Sequence, residues 1–199
     1  MRISKEYFLN DDVLFIAEDL IGKYFFTMIG GQLAGGIITE TEAYKGINDK
    51  ASHAYGGRVT KRNATMYAEG GILYVYLCYG MHHLTNIVTN VAGTPDAVLL
   101  RALLPTHGEE LMLKRSGRQR ITPEIGDGPG RFSKLLGLTT ANDTLSVTSN
   151  MVWLEDRGVI VPENAIAKLP RVGVDYAGED AKLLYRFRLK DMKYVFSQN

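Results

Sequence analysis

The residues best suited to chemistry lie between Thr39 and His53. Glu40, Glu42 and Tyr44 recur at every second position, and a β-strand puts residues i, i+2 and i+4 on one face. Two acids beside a phenol are costly to bury together. Either that face is wet, or it lines a site where a carboxylate is wanted. A second segment runs from Tyr74 to Asn86, with Tyr74 and Tyr76 on one strand face and Val75 and Leu77 on the other. Tyr79, followed by Gly80 and Met81, falls where that strand should end. A tyrosine there either protrudes or lays its ring on the surface. A third feature is Arg101, alone in the apolar run from Val98 to Leu104. An arginine in such a strand needs a partner if it is buried, and Glu42 is a natural one. The pair is either purely structural or a carboxylate held ionised and oriented by a cation. A neighbouring cation lowers a carboxylate's pKa and keeps it available as a base at neutral pH.

Other chemistries lack their residues. His82 and His83 are adjacent, so in regular structure they diverge, and no CxxC or HExxH occurs; no metal is expected. The zinc deaminase signature is missing, as is a G-x-S-x-G elbow. Gly126 to Arg131 is glycine-rich but lacks the Gly-Lys-Ser/Thr of a phosphate loop. Lysine and arginine total 23 against 22 acids, a net charge of +1. That is weak support for a nucleic-acid partner and leaves the question to local patches such as Arg58, Lys61 and Arg62. Eleven tyrosines against seven phenylalanines and one tryptophan favour wet, stacking surfaces, although several belong at core edges. The single cysteine, Cys78, cannot form a disulfide within the chain. The first residues lack a signal peptide's apolar core, and no apolar run approaches a membrane span. A soluble cytoplasmic protein is expected.

The elements that must position these residues follow from pattern. Asn10 or Asp11 can cap a helix over Val13 to Ile21, with Leu14, Ala17 and Ile21 on one face and Gly22 as its stop. Tyr24 to Ile29 and Leu33 to Tyr44 read as strands joined by Gly30-Gly31, with Gly35-Gly36 marking a bulge or bend. Residues 45 to 71 form one long, mostly irregular connection, a length that tends to be functional inside a compact domain. Further strands are expected at Ile72 to Cys78, Asn86 to Val91 and Ala97 to Leu104, and near Met151, Arg171, Leu184 and Tyr194. Helices are expected over Pro105 to Arg115, with Arg118 and Arg120 in a basic tail, and over Arg131 to Leu138. Strands dominate without βα alternation, which points to a single α+β domain over residues 1–199.

Together these segments resemble the alkyladenine (methylpurine, or 3-methyladenine) DNA glycosylase family. The matching text is Thr39-Glu40-Thr41-Glu42-Ala43-Tyr44, Ala51-Ser52-His53, Leu73 to Tyr76, Tyr79-Gly80-Met81 and Asn86. It continues through Leu99 to Leu103, Gly128-Pro129-Gly130, Arg171 to Val174 and Arg186-Phe187, covering the chain from about Leu14 to Phe187. The ordered combination is specific where no single piece is rare. Lys61 and Leu184 stand where the family often has proline, which bears on loop geometry and DNA affinity more than on chemistry.

The resemblance implies a curved, mainly antiparallel sheet with peripheral helices and hydrolysis of the N-glycosidic bond of alkylated or deaminated purines in duplex DNA. It implies no cofactor, no membrane partner and an abasic product of base excision repair; a monomer suffices for one DNA site. By the same resemblance Glu42 is the general base, with Arg101 and the carbonyl of Val172 holding the attacking water. Tyr44, His53, Tyr76 and Leu99 wall the base pocket, and Asn86 obstructs the amino group of normal guanine. Tyr79, with Met81 beside it, enters the duplex, and Arg58, Lys61 and Arg62 grip DNA. Two other functions compete on residue chemistry. A binding-only module has no need of Glu42 facing a phosphate-rich ligand, and a free-nucleoside hydrolase has no need of Tyr79 or the basic cluster.

Overall fold

Among the described residues eight strands are present in chain order: β1 (Tyr24–Ile29), β2 (Gln32–Lys45), β3 (Leu73–Cys78), β4 (His82–Thr89), β5 (Asp96–His107), β6 (Val152–Glu155), β7 (Ile166–Leu169) and β8 (Arg186–Leu189). The structure is a computed structural model and describes residues 1–196. Gly30 and Gly31 sit at φ 62° and 72°, as a two-residue primed turn requires, and fold β1 onto β2. β2 organises the sheet. Its first half pairs with β1, Glu40 to Glu42 pair with β8, and its other edge pairs with β5. The sheet runs β3-β4-β5-β2-β1-β6, with β8 and β7 joining along β2, and every pairing is antiparallel. The α+β architecture with a curled antiparallel sheet and peripheral helices is as expected.

The curl has an identifiable source in the β2–β5 ladder. Ile38 pairs with Leu103 and Glu40 with Ala102, so Thr39 is an extra residue on β2. Thr41 then pairs with Leu100, so Arg101 is an extra residue on β5. Bulges bend strands and re-aim side chains. The result is visible in β5, where Leu100 and Leu103 both belong to the main core although strict alternation would separate them. The expected irregularity at Gly35-Gly36 is also present, with Gly35 opposite His107 and Gly36 opposite Pro105. A Cβ on Gly36 would lie 2.3 Å from the Leu104 carbonyl oxygen. Gly36→Ala therefore forces two paired strands apart. It is expected to cost about 1–3 kcal/mol, a fall in Tm of roughly 2–12 °C in a thermal melt. An unchanged Tm would show that the strands relax freely.

The helices cover the sheet. α1 (Val13–Asp19) is capped by Asp12, whose carboxylate accepts from the N–H groups of Leu14 and Phe15. Asn10 does not cap; it braces the cap by accepting from the Asp12 N–H. The Thr41 hydroxyl donates to the Ala17 carbonyl at 2.6 Å, which pins α1 under β2 between Glu40 and Glu42. α2 (Glu109–Ser116) begins later than its sequence pattern indicates, because Pro105 to His107 continue β5 and Gly108, at φ 73°, turns the chain. Pro105 is tolerated in the strand because it adjoins a bulge. α3 (Pro129–Leu136) buries Phe132, Leu135 and Leu136, and Phe132 meets Phe25 edge-on at 5.4 Å. Two expected strands fall elsewhere. Arg171 lies in the loop after β7, and Tyr194 lies in a short helix, α4 (Lys193–Phe196), started by the Asp191 carboxylate accepting from the Lys193 N–H. Residues 46–71 are irregular apart from three short 3-10 turns.

Candidate active site

Glu42 has no exposed surface. Its Oε1 accepts from the Val172 N–H at 2.8 Å and faces Arg101 Nη1 at 3.2 Å, and its Oε2 accepts from the Tyr44 hydroxyl at 2.9 Å. Burial pushes the Glu42 pKa up; Arg101, the Val172 N–H and the Tyr44 hydroxyl pull it back, while Glu40 pushes it further up. The balance lies above the ordinary carboxylate range. This corrects the expectation that Arg101 keeps the acid low, since complete removal from water outweighs one cation that is itself shared. Arg101 Nε meets Glu40 Oε1 at 2.8 Å, closer than Nη1 comes to Glu42. Glu40 also meets Arg186 at 3.2 Å, and Arg188 lies 3.8 Å away. Glu40 is therefore the main partner of Arg101, and the bulge at Arg101 lets one guanidinium span both acids. Val172 meets Glu42 through its N–H; the carbonyl that the resemblance assigns to the attacking water is a separate contact.

In front of Glu42 lies a cavity of about 520 Å³ whose walls include Tyr44, Arg101 and Val172, the three groups that hold the acid. His53, Tyr76, Asn86 and Leu99, named from the sequence as pocket residues, also line it, and so does Tyr74, which was not. Tyr74 and Tyr76 sit 5.4 Å apart, and the His53 ring meets Tyr76 at 4.7 Å. Asn86 is buried and donates to the Tyr74 carbonyl at 3.1 Å. His53 Nδ1 lies 2.9 Å from the Tyr74 hydroxyl. Desolvation, then the charge of Arg62, push the His53 pKa down to about 4, so the imidazole is neutral at pH 7. Desolvation pushes the Tyr74 hydroxyl up to about 12.

Tyr79 stands at the cavity rim with 86% of its surface exposed. It tops the β3–β4 hairpin at φ 51°, followed by Gly80 at 69° and the exposed Met81. A bulky residue at positive φ carries about 1–3 kcal/mol of strain, which the fold sustains here to project a phenol. Of the cluster Arg58, Lys61 and Arg62, Arg62 lines the cavity, with its guanidinium 5.4 Å from the Tyr76 ring centre. Arg58 and Lys61 lie on the exposed surface.

Sequence reasoning missed several supports. Asn63 is buried, and its amide donates to the carbonyls of His53 at 2.8 Å and Arg58 at 2.9 Å, fixing the loop that carries them. Asp49 and Arg171 form a buried pair beside Tyr44. A second groove of about 790 Å³ is bordered by Arg118, Arg120, Arg131, Lys134 and His82, so it reaches the foot of the Tyr79 hairpin. The Arg118 to Arg120 cluster was its only signal in the sequence. Among the described residues, no group of three or more His, Cys, Asp or Glu side chains is placed to hold a metal ion.

A buried acid behind an aromatic cavity, beside an exposed hairpin tyrosine and basic grooves, suits a hydrolase that works on a base withdrawn from a nucleic acid. Residues 7–193 match the family model described as methylpurine-DNA glycosylase, and the chain belongs to that family of DNA-repair hydrolases acting on N-glycosyl bonds. It is 43% identical over 192 residues to a Chlamydia felis protein named "Putative 3-methyladenine DNA glycosylase", covering 96% of this chain and 97% of the relative. Chlamydia abortus has a protein of the same name at 44% identity, covering 94% and 97%, and Bacillus cereus has one at 39%, covering 94% and 96%.

Proposed function

We propose that this protein, acting as a monomer, everts alkylated or deaminated purines from duplex DNA. It then hydrolyses their N-glycosidic bond with a water activated by Glu42. The observation that carries this reading is a fully buried carboxylate held by three donors that themselves form the wall of an aromatic cavity. A base inside a duplex is out of reach, so chemistry on its sugar bond requires extrusion. Tyr79 fills the vacated space, and Arg58, Lys61, Arg62 and the groove at Arg118 to Lys134 hold the backbone. The purine stacks among Tyr44, His53 and Tyr76, where a base–aromatic contact is worth about 1–3 kcal/mol and a cationic alkylpurine gains cation–π attraction. Arg62 leaves the face of Tyr76 as the base arrives. Asn86 at the cavity floor excludes the exocyclic amino group of guanine.

Bond cleavage builds oxocarbenium character at the sugar. Glu42 stabilises that charge and accepts the water's proton once the Tyr44 hydroxyl moves off Oε2 and opens the acid; a cationic alkylpurine then leaves as a neutral base, and a neutral purine such as hypoxanthine takes up a proton from solvent as it leaves. The Tyr74 hydroxyl and His53 Nδ1 share a hydrogen bond at 2.9 Å; in the tautomer where the hydroxyl donates, Nε2–H is left to meet an acceptor on the purine edge. Strand alternation puts Lys45 on the face opposite Glu42, and the proposed nucleophile is water rather than an amine. The reading covers 3-methyladenine, 7-methylguanine, hypoxanthine and ethenoadenine, and a panel of single-lesion duplexes ranks them.

A pH profile tests the base. Glu42 must be ionised to act, and its pKa is raised, so the single-turnover rate on a hypoxanthine duplex rises with pH through that pKa. The acid limb should lie above the ordinary carboxylate value of about 4.3. A limb at or below that value would remove Glu42 from the role.

A further inference from the structure

The Asp49–Arg171 pair takes no part in the steps above, yet two of the three groups holding Glu42 depend on it. The Arg171 side chain is completely buried. Its two terminal nitrogens pair with the two oxygens of Asp49, Nη2 reaching Oδ1 at 2.8 Å. Nη1 also donates to the carbonyl of Ala43, the residue between Glu42 and Tyr44, at 2.9 Å, and Nη2 donates to the Asp180 carbonyl at 3.2 Å. The guanidinium lies 4.8 Å from the centre of the Tyr44 ring, whose hydroxyl binds Glu42. The Asp49 carboxylate further accepts from the N–H groups of Lys45 and Ala51, both at 3.0 Å. The residue after Arg171 is Val172, whose N–H meets Glu42 Oε1.

One buried ion pair thus ties together the strand bearing Glu42, the loop leading to His53 and the loop bearing Val172. We propose that Arg171, locked by Asp49, is a positioning residue that holds the Val172 N–H and the Tyr44 hydroxyl on Glu42 and so sets the aim of the base. A buried pair alone is poor evidence of stabilisation, since packed apolar groups often replace one without loss. A planar fork engaged at two carboxylate oxygens and two carbonyls fixes direction, which a lysine's single ammonium cannot reproduce. The proposal rests on the reading of Glu42 as base.

The test compares wild type, Asp49→Asn, Arg171→Lys and Glu42→Gln in thermal melts, in affinity for duplex carrying an uncleavable abasic analogue, and in single-turnover excision across the acid range. In Asp49→Asn and Arg171→Lys, affinity should hold within about threefold while excision slows roughly 10- to 100-fold, the scale of an ångström of misplacement. The acid limb should move to higher pH, because a loosened Val172 N–H no longer favours ionised Glu42. A limb that stays in place, with rate lost only in proportion to folded protein, makes the pair structural and overturns the proposal. Should Asp49→Asn not fold, Asp49→Glu retains the charge, lengthens the arm and carries the same two readouts. The two readings fail separately. A limb that persists in Glu42→Gln defeats Glu42 as base, whereas one absent there but unmoved in Asp49→Asn defeats only the positioning role.

Discussion

Glu42→Gln should bind a damaged duplex almost as tightly as the parent protein and release its base about 10²- to 10⁴-fold more slowly. The substitution keeps shape and keeps an oxygen for the Val172 N–H, so it removes the proton acceptor and the negative charge while sparing the wall. Its stability follows from linkage. The folded pKa of Glu42 is raised, so the folded chain binds that proton more tightly than the unfolded chain, and ionisation above that pKa costs stability. Glutamine avoids this cost, so Tm at neutral pH should equal or exceed that of the parent, with the difference shrinking as pH falls. A lost rate combined with a maintained Tm separates chemistry from folding. Arg101→Ala lacks that clarity, because it removes a cation shared by two buried acids and costs about 3–5 kcal/mol by breaking a buried network. Full excision by Glu42→Gln would contradict the assignment outright.

Tyr79→Ser should fail most where the duplex is best stacked. The phenol is 86% exposed and has no packing duty that its loss would disturb. Its proposed contribution is to occupy the gap left by the everted nucleotide, offsetting part of an unstacking cost of a few kcal/mol. Taking the worth of a stacked aromatic as about 1–3 kcal/mol, excision from a fully paired duplex should drop roughly 5- to 150-fold. On the same lesion in a preformed mismatch, where unstacking is already partly met, the loss should be several-fold smaller. Single-turnover rates on the paired and mismatched substrates measure both. Equal losses would place Tyr79 in general binding and remove the wedge.

Much of this site was legible in the sequence because its chemistry sits on local pattern. The spacing of Glu42 and Tyr44, the Tyr74 and Tyr76 face and the hairpin end at Tyr79 are all set by strand alternation and turn residues; the structure brings the four tyrosines to one cavity, with Glu42 buried behind the Tyr44 wall. What alternation could not show were the breaks in alternation. Arg101 spans Glu40 and Glu42 because of a bulge that forms only when β2 and β5 pair across 60 residues of chain, and no local signal marks it. The same holds for Asp49 and Arg171, ordinary residues in two loops whose meaning comes from meeting under Tyr44. Asn63 reads as a loop polar residue and turns out to be a buried clamp. The direction of the Glu42 shift was also out of reach, since it depends on complete burial, a property of packing rather than of neighbours in sequence. Helix α2 began late for a related reason, with Pro105 drawn into a strand at a bulge opposite Gly36.

The central claim is that water, directed by Glu42, detaches a damaged purine and nothing more. The most direct test is to incubate methylated duplex DNA with the wild-type protein, quantify free purine, count strand breaks before and after alkali, and add borohydride in parallel. The account predicts free methylated purine, alkali-labile sites equal in number to the bases released, no breaks before alkali and no protein–DNA adduct. An adduct trapped by borohydride, strand breaks without alkali, or bound DNA that releases no base would each contradict it.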